Sequence, residues 1–281
     1  MNVADVMTTR EDTVTVEVPG TRDDVLEYLQ DGSFSSVPVI KDGADGEEYR
    51  GLVTRDALID RPDEDQLALL AEEVTTTTAD TAIEEVARQM VETGDRRVPV
   101  VDGGLEGIVT VTDIVRAIAN DDLPGDTTVD AVAGRAVNCV YAGTPLPVAE
   151  RELSFARVPY AVVLDGGGDL TGMVTEVDVL EVARVVEGEA DTGESIANQD
   201  DDWAWEGIKA VGNRYMPTRN VELPAESVEE FMTPDLVTVG KRRTVRDAAR
   251  LMLEHDIEQI PVVTGDELYG VVRDIDLLEA L

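Results

Sequence analysis

The sequence predicts an α/β (α+β) fold built from four β-α-β-β-α units. Three observations carry this. An apolar strand, a turn and a Gly-apolar-apolar segment recur in the same order four times. The copies fill the chain, which is the mark of a repeat architecture. Within each copy the apolar spacing switches between the periods of strand and helix.

The clearest copies are Val98-Pro99-Val100-Val101 with Gly107-Ile108-Val109-Thr110-Val111-Thr112-Asp113, and Ile260-Pro261-Val262-Val263 with Gly270-Val271-Val272-Arg273-Asp274-Ile275-Asp276. The others are Val37-Pro38-Val39-Ile40 with Gly51-Leu52-Val53-Thr54, and Val158-Pro159-Tyr160-Ala161 with Gly172-Met173-Val174-Thr175-Glu176-Val177-Asp178. Anchored on their prolines, successive copies lie 61, 60 and 102 residues apart. Upstream, Thr15, Thr75, Asn138 and Thr238 each precede Thr21, Thr81, Thr144 and Thr244 by six residues.

Each unit opens on a short β segment: Thr13–Val16, Val74–Thr77 or Val237–Val239. The second threonine then caps a helix. In copy two the helix is Thr81–Val91, with Ile83, Val86, Ala87 and Met90 on one face; in copy four it is Thr244–Leu253, with Val245, Ala248, Ala249 and Met252. The strand Val98–Val101 follows, then the turn Asp102-Gly103-Gly104, the strand Gly107–Val109 and a closing helix Thr112–Ala119. Copy three is expected to have a shortened first helix. Thr144 to Pro159 spans 15 residues, against 17 from Thr244 to Pro261, and Pro145 and Pro147 stand at its start.

The chain therefore divides into repeats at 1–60, 67–120, 128–184 and 227–281, with an insertion at 185–226. The insertion begins as an acidic linker and ends as a partly folded arm, Trp203–Arg219. Its two tryptophans pack over a neighbouring module or a subunit contact. The alternative is an arm over a ligand site, with Arg214 and Arg219.

The 60 acids against 23 lysines and arginines give a net charge of −37, and Lys41, Lys209 and Lys241 are the only lysines. Such a balance reads as adaptation to a high-salt cytoplasm, where screening weakens self-repulsion. A hydrophobic content of 43% argues against an acidic disordered chain. The charge disfavours direct contact with nucleic acid or an anionic membrane. Cys139 and His255 are the only residues of their kinds, which excludes an intrachain disulfide, a Cys/His zinc site and a Ser-His-Asp triad. Cys139 reads as a packing residue, and His255 as a helix-terminus or surface residue. No apolar run approaches the roughly 20 residues of a membrane span, and the first residues lack the pattern of a secretory leader. A cytoplasmic location is expected.

The Gly-apolar-apolar-Thr-x-x-Asp segment is where chemistry would sit. A helix N-terminus offers unpaired amides to a phosphate, and an acid one turn in can accept from two vicinal hydroxyls. The same tetrapeptide also makes a capping box, in which the acid serves only the backbone. Thr110/Asp113 and Thr175/Asp178 are intact. Copy four keeps Asp276 but has Arg273 for the threonine, and arginine can hold phosphate bidentately. Copy one has Thr54 with Ala57 at the acid position, so three sites is the most the sequence supports. Arg96 and Arg97 precede the copy-two strand, Arg157 stands in register with Arg97, and Lys241-Arg242-Arg243 fills a turn of copy four. These cations serve either a ligand or local carboxylates.

On these residues the sequence resembles four CBS motifs in tandem, which that family pairs into two Bateman modules. The layout is similar to the gamma subunit of AMP-activated protein kinase and to archaeal stand-alone CBS proteins. The resemblance implies a non-catalytic regulatory sensor of AMP, ADP or ATP that needs no cofactor or metal. It assigns the motif threonine to phosphate, the aspartate to ribose, the basic turns to phosphate, and Thr75 and Thr238 to the nucleoside. It also implies a homodimer or a regulated protein partner. S-adenosylmethionine, or another adenosyl ligand, is the alternative, as is a ligand-free dimerisation scaffold. An enzyme related to inosine monophosphate dehydrogenase is opposed by the lack of a barrel-sized segment.

Overall fold

The computed structural model describes residues 1–30, 36–43, 46–54, 57–58, 61, 64–182, 184–187, 210–211, 214–215, 219–265 and 267–281. Trp203, Trp205 and most of the expected arm lie outside the described residues.

Among the described residues the units follow one element order, complete through the closing helix in copies two, three and four. The first has β2 (Val16–Glu17), α1 (Arg22–Gln30), β3 (Ser36–Gly43) and β4 (Gly46–Thr54). The second has α3 (Ile83–Thr93), β5 (Arg97–Val101), β6 (Leu105–Thr110) and α4 (Val111–Ala119), with a single bridge, Thr77 to Val100, as its leading strand. The third has β7 (Cys139–Tyr141), α6 (Leu146–Ala156), β8 (Tyr160–Leu164), β9 (Leu170–Thr175) and α7 (Glu176–Val182). The fourth has β14 (Val239–Gly240), α8 (Val245–His255), β15 (Gln259–Thr264), β16 (Glu267–Arg273) and α9 (Asp274–Leu277). In each sheet the leading strand runs parallel to the middle one, because a helix crosses between them.

The helix in copy three is not shortened. α3, α6 and α8 each have 11 residues, and each ends on a left-handed residue: Gly94, Arg157 and Asp256. Five residues beyond that point stand Pro99 and Pro261, but Val162 in copy three. Pro159 instead matches Arg96 and Glu258, whose carbonyls likewise accept from the first residue of the closing helix: Glu176 N–H to Pro159 (3.0 Å), Val111 to Arg96 (3.0 Å), Asp274 to Glu258 (2.8 Å). The short spacing from Thr144 to Pro159 arises because Pro159 and Pro261 occupy different positions in their units. Arg157 is therefore out of register with Arg97. Tyr160 takes that place, opposite Thr175 as Arg97 is opposite Thr110.

A second shift affects copies two and three. The residue capping the first helix is Thr244 in copy four, but Ala82 and Pro145 in the others. Thr76 and Cys139, not Thr75 and Asn138, are thus the counterparts of Thr15 and Thr238.

The segment ahead of each repeat does not stay with that repeat. The lead of copy one, a 3-10 turn (Val3–Asp5) and β1 (Thr8–Thr9), docks on copy two, with Val3 N–H to Thr81 O at 2.9 Å and β1 paired antiparallel to β6. The lead of copy two, α2 (Leu67–Leu70), docks on copy one through reciprocal Leu52–Glu72 bonds of 2.9 Å. The lead of copy three, α5 (Val129–Val132), docks on copy four through Gly134 and Val271 (2.9 and 3.1 Å). The lead of copy four, a 3-10 turn at Val228–Glu230, docks on copy three through Met173 and Thr233 (3.1 and 2.9 Å).

This exchange explains the motif glycine. Gly51, Gly107, Gly172 and Gly270 lie against the backbone of the docked segment. A Cβ would stand 2.7 Å from Glu72 O at Gly51 and 2.5 Å from Gly134 O at Gly270.

The chain groups into two units. The first is Met1–Gly134, Val237–Thr264 and Tyr269–Leu281; the second is Arg135–Leu236 with Gly265–Leu268. In the first unit, copies two and four share one apolar core, in which Ile114, Ile118, Ala248, Ala249 and Met252 are buried together. Full burial of such an aliphatic side chain contributes about 1.5–3 kcal/mol. Copy one has its own core around Val25, Val39 and Leu67. In the second unit, Leu146, Leu153, Val163 and Val174 form the core of copy three. There the insertion begins and ends as an antiparallel ladder, β10 (Arg184–Glu187) against β13 (Arg219–Glu222), and carries a small pair between, β11 (Ala210–Val211) with β12 (Arg214–Tyr215).

Candidate functional site

The strand-to-helix junctions place the motif residues. In copy two Thr110 is the N-cap of α4. Its N–H and hydroxyl both donate to Asp113 Oδ2 (2.9 and 2.7 Å), and Asp113 N–H donates back to Thr110 Oγ1 (3.3 Å). Asp113 Oδ1 accepts from Arg116 (2.9 Å), a side chain that is half exposed. In copy three, Thr175 N–H and hydroxyl donate to Asp178 Oδ2 (2.7 and 2.8 Å). Asp178 Oδ1 has no partner among the described residues. The aspartate in both copies is a capping acid that spends one oxygen on the backbone; the other has no partner among the described residues in copy three and is held by an exposed arginine in copy two.

Copy four differs. Arg273 caps α9, its N–H donates to Asp276 Oδ2 (2.8 Å), and its guanidinium covers both oxygens of the same carboxylate (2.5–3.1 Å). The expected phosphate arginine thus closes on its own acid. In copy one Thr54 Oγ1 accepts from Ala57 N–H (3.1 Å), and Ala57 is buried. No carboxylate stands at that position.

The basic residues separate by environment. Arg96 is bidentate to Asp274 (2.9 and 2.6 Å) and reaches Glu258 (2.9 Å). It serves carboxylates of copy four. Arg97, across the strand from Thr110, is half-buried and engaged. Arg157 is exposed at the end of α6. Lys241 lies over the ring of Tyr269, 4.5 Å from its centroid, a cation–π contact. Arg242 is exposed. Thr75 and Thr238 are exposed on their leading segments. In copy one Thr15 Oγ1 accepts from Arg10 (3.2 Å), which is itself bound to Glu47. Asp274 escaped the sequence reading, although an acid opening a helix next to Arg273 was visible.

The family model of the CBS domain matches residues 3–64, 68–120 and 228–281. The chain belongs to the CBS domain family.

The third repeat, which falls between the matched segments, is recognised by its elements and its docked lead. The uncharacterised protein MJ1404 of Methanocaldococcus jannaschii is 28% identical over 99% of this chain, which spans 61% of that relative's length. The crystal structure of an uncharacterised conserved protein from Pyrococcus horikoshii superposes with a TM-score of 0.70 at 26% identity, covering 99% of both chains. MJ1225 of Methanocaldococcus jannaschii, itself likened to g-AMPK, gives a TM-score of 0.69 at 18% identity over 99% of both. That last likeness shows the tandem CBS fold alone.

Among the described residues no cluster of histidine, cysteine and carboxylate side chains suits a metal ion, and no helix is long and apolar enough to cross a membrane. Cys139 is exposed rather than a packing residue; partial desolvation raises its thiol above the ordinary value.

Proposed function

We propose that this CBS protein is a regulatory sensor of adenine nucleotides (AMP, ADP or ATP) and that it catalyses nothing. The observation that carries the reading is Asp178. Its Oδ2 locks the start of α7, while Oδ1 takes no bond from the described residues and would be the oxygen offered to a ribose diol. The same helix start offers backbone amides to a phosphate.

Copy three is the most open site. Copy two becomes competent when Arg116 leaves Asp113. Copy four needs Arg273 to release Asp276. Binding that stabilises one arrangement of the paired repeats is what a regulated protein, or a second copy of the chain, would read.

The test is calorimetric titration of the protein with AMP and with ATP in about 1 M KCl, where the Debye length is near 3 Å and self-repulsion of the chain is screened. Saturable binding that Asp178→Ala reduces by one site supports the proposal. Binding of S-adenosylmethionine in preference to both nucleotides would replace it with the adenosyl alternative.

A further inference from the structure

The outer face of α6 in copy three departs from a pattern that its counterparts keep. α3, α6 and α8 have 11 residues each and align without gaps. The third and tenth residues of α3 are Glu85 and Glu92, and those of α8 are Asp247 and Glu254. α6 has Val148 and Phe155 at those places. Both are exposed, Val148 at 46% and Phe155 at 89%. Tyr141, on the strand that leads into α6, is exposed as well. A lone apolar side chain at a surface needs no explanation. Two of them do, where both sister helices carry acids and the chain has a net charge of −37.

Arg151 and Glu152 stand between them and are also exposed. The four positions are i, i+3, i+4 and i+7, so they share one face of the helix. That face is self-complementary. Consider an antiparallel pair of α6 helices whose two-fold axis passes between residues 151 and 152. Val148 of each copy then meets Phe155 of the other, and Arg151 of each meets Glu152 of the other.

The sister helices serve as internal controls. The same pairing of α3 sets Glu85 against Glu92 and Arg88 against Gln89. In α8 it sets Asp247 against Glu254 and Arg250 against Leu251. Each opposes acids twice and gains no ion pair. Of the three, α6 alone joins apolar to apolar and cation to anion. So acidic a chain repels a second copy over most of its surface. Repulsion is least at a face whose two charges cancel and whose other members are apolar. Arg151 has five N–H donors, so a carboxylate from a second copy adds to what it holds within its own chain.

We infer that the outer face of α6 is a self-association surface, on which a second copy of this chain docks by antiparallel pairing of the two α6 helices. Phe155 is the main apolar anchor, and the Arg151–Glu152 pairs fix the register. A few such anchors carry most of the energy of an interface. A dimer is implied by the resemblance to CBS motifs; the face and its register are not. The pairing goes beyond nucleotide binding and does not require it.

The test is analytical ultracentrifugation of the full chain without nucleotide in about 1 M KCl, where self-repulsion is screened. One helix face makes a small interface, so a dimer with a dissociation constant of roughly 10–100 µM is expected. Phe155→Glu places an acid where the sister helices have one and should weaken the dimer about tenfold or more. Arg151→Glu and Glu152→Arg should each weaken it severalfold by opposing like charges. The two together exchange the charges and keep the pairing, so the double variant should return to the parent's affinity. All these side chains are exposed, and circular dichroism should match the parent. A monomer persisting at roughly 1 mM chain, a dimer untouched by Phe155→Glu, or a double variant no tighter than either single one would each overturn the assignment.

Discussion

Arg96 in copy two closes on Asp274 in copy four through two parallel bonds of 2.9 and 2.6 Å. Asp274 is 4% exposed and its Oδ1 also accepts from Ile275 N–H (2.7 Å). The backbone of Arg96 receives the first N–H of α4, while Asp274 is the first residue of α9. One side chain therefore ties the starts of two motif helices. Arg96→Met strands a buried carboxylate. The expected loss is about 2–3 kcal/mol, below the usual cost of breaking a fully buried pair because Arg96 is a third exposed. Adding Asp274→Met should restore most of it. Denaturant unfolding in high salt reads both, and a loss under about 0.5 kcal/mol, the range of ordinary surface changes, would show the pair to be idle.

The three motif acids should respond differently to substitution. Asp178→Ala removes a site outright. Arg116→Ala frees Asp113 Oδ1 and should tighten AMP binding at copy two by a few-fold, since a charge-assisted bond no longer has to be broken. Arg273→Thr uncovers Asp276 and should add a site. Stoichiometry from calorimetric titration separates these cases. An unchanged number of sites in Asp178→Ala and Arg273→Thr would remove the ribose assignment.

The repeats themselves were legible because strand and helix periodicity is written in apolar side chains: Ile83, Val86, Ala87 and Met90 form the buried face of α3 as their spacing implies. Register was less legible. Proline suits both the residue before a strand, as Pro159, and a strand position whose N–H is not needed, as Pro261, so a proline anchor is ambiguous by three residues. The exchange of leads left almost no trace, because it is made of backbone bonds that any residue can form. Its one signature was the motif glycine, which also fits a turn. At the site, the Thr110–Asp113 spacing announced the cap, but nothing in the sequence could say that Arg273 would fold onto Asp276 rather than wait for a phosphate.

The exchanged leads make a sharp prediction at Gly270. An alanine there would press its methyl on Gly134 O. Either the strand moves or the reciprocal Gly134–Val271 bonds lengthen. The cost should be about 1–3 kcal/mol, typical of overpacking. Gly166→Ala, where a Cβ meets nothing, is the control and should stay within about 0.5 kcal/mol. Amide exchange at Val271 should rise in Gly270→Ala more than elsewhere in copy four. Equal protection in both variants would mean that the docked lead tolerates the methyl.

Acid should loosen copy one through Glu47. Its carboxylate takes three bonds from Arg10: Nε to Oε1 (2.8 Å), Nε to Oε2 (3.1 Å) and Nη2 to Oε2 (2.7 Å). The bond to Arg10 holds the carboxyl below its ordinary range, and partial burial opposes this more weakly. A depressed folded value means that the unfolded chain binds the proton first on acidification. The contribution is thus fully present above the unfolded value of about 4.3 and disappears as pH falls through the lower folded value. Arg10 and Glu47 are 33% and 26% exposed, so the pair contributes about 1 kcal/mol at most. Glu47→Gln keeps the shape and removes the charge. Its stability deficit, measured by urea unfolding, should be steady near pH 6 and shrink below pH 4.3 or so. A deficit that stays constant down to the acid limit would mean that the charge of Glu47 is not what holds Arg10 against Thr15.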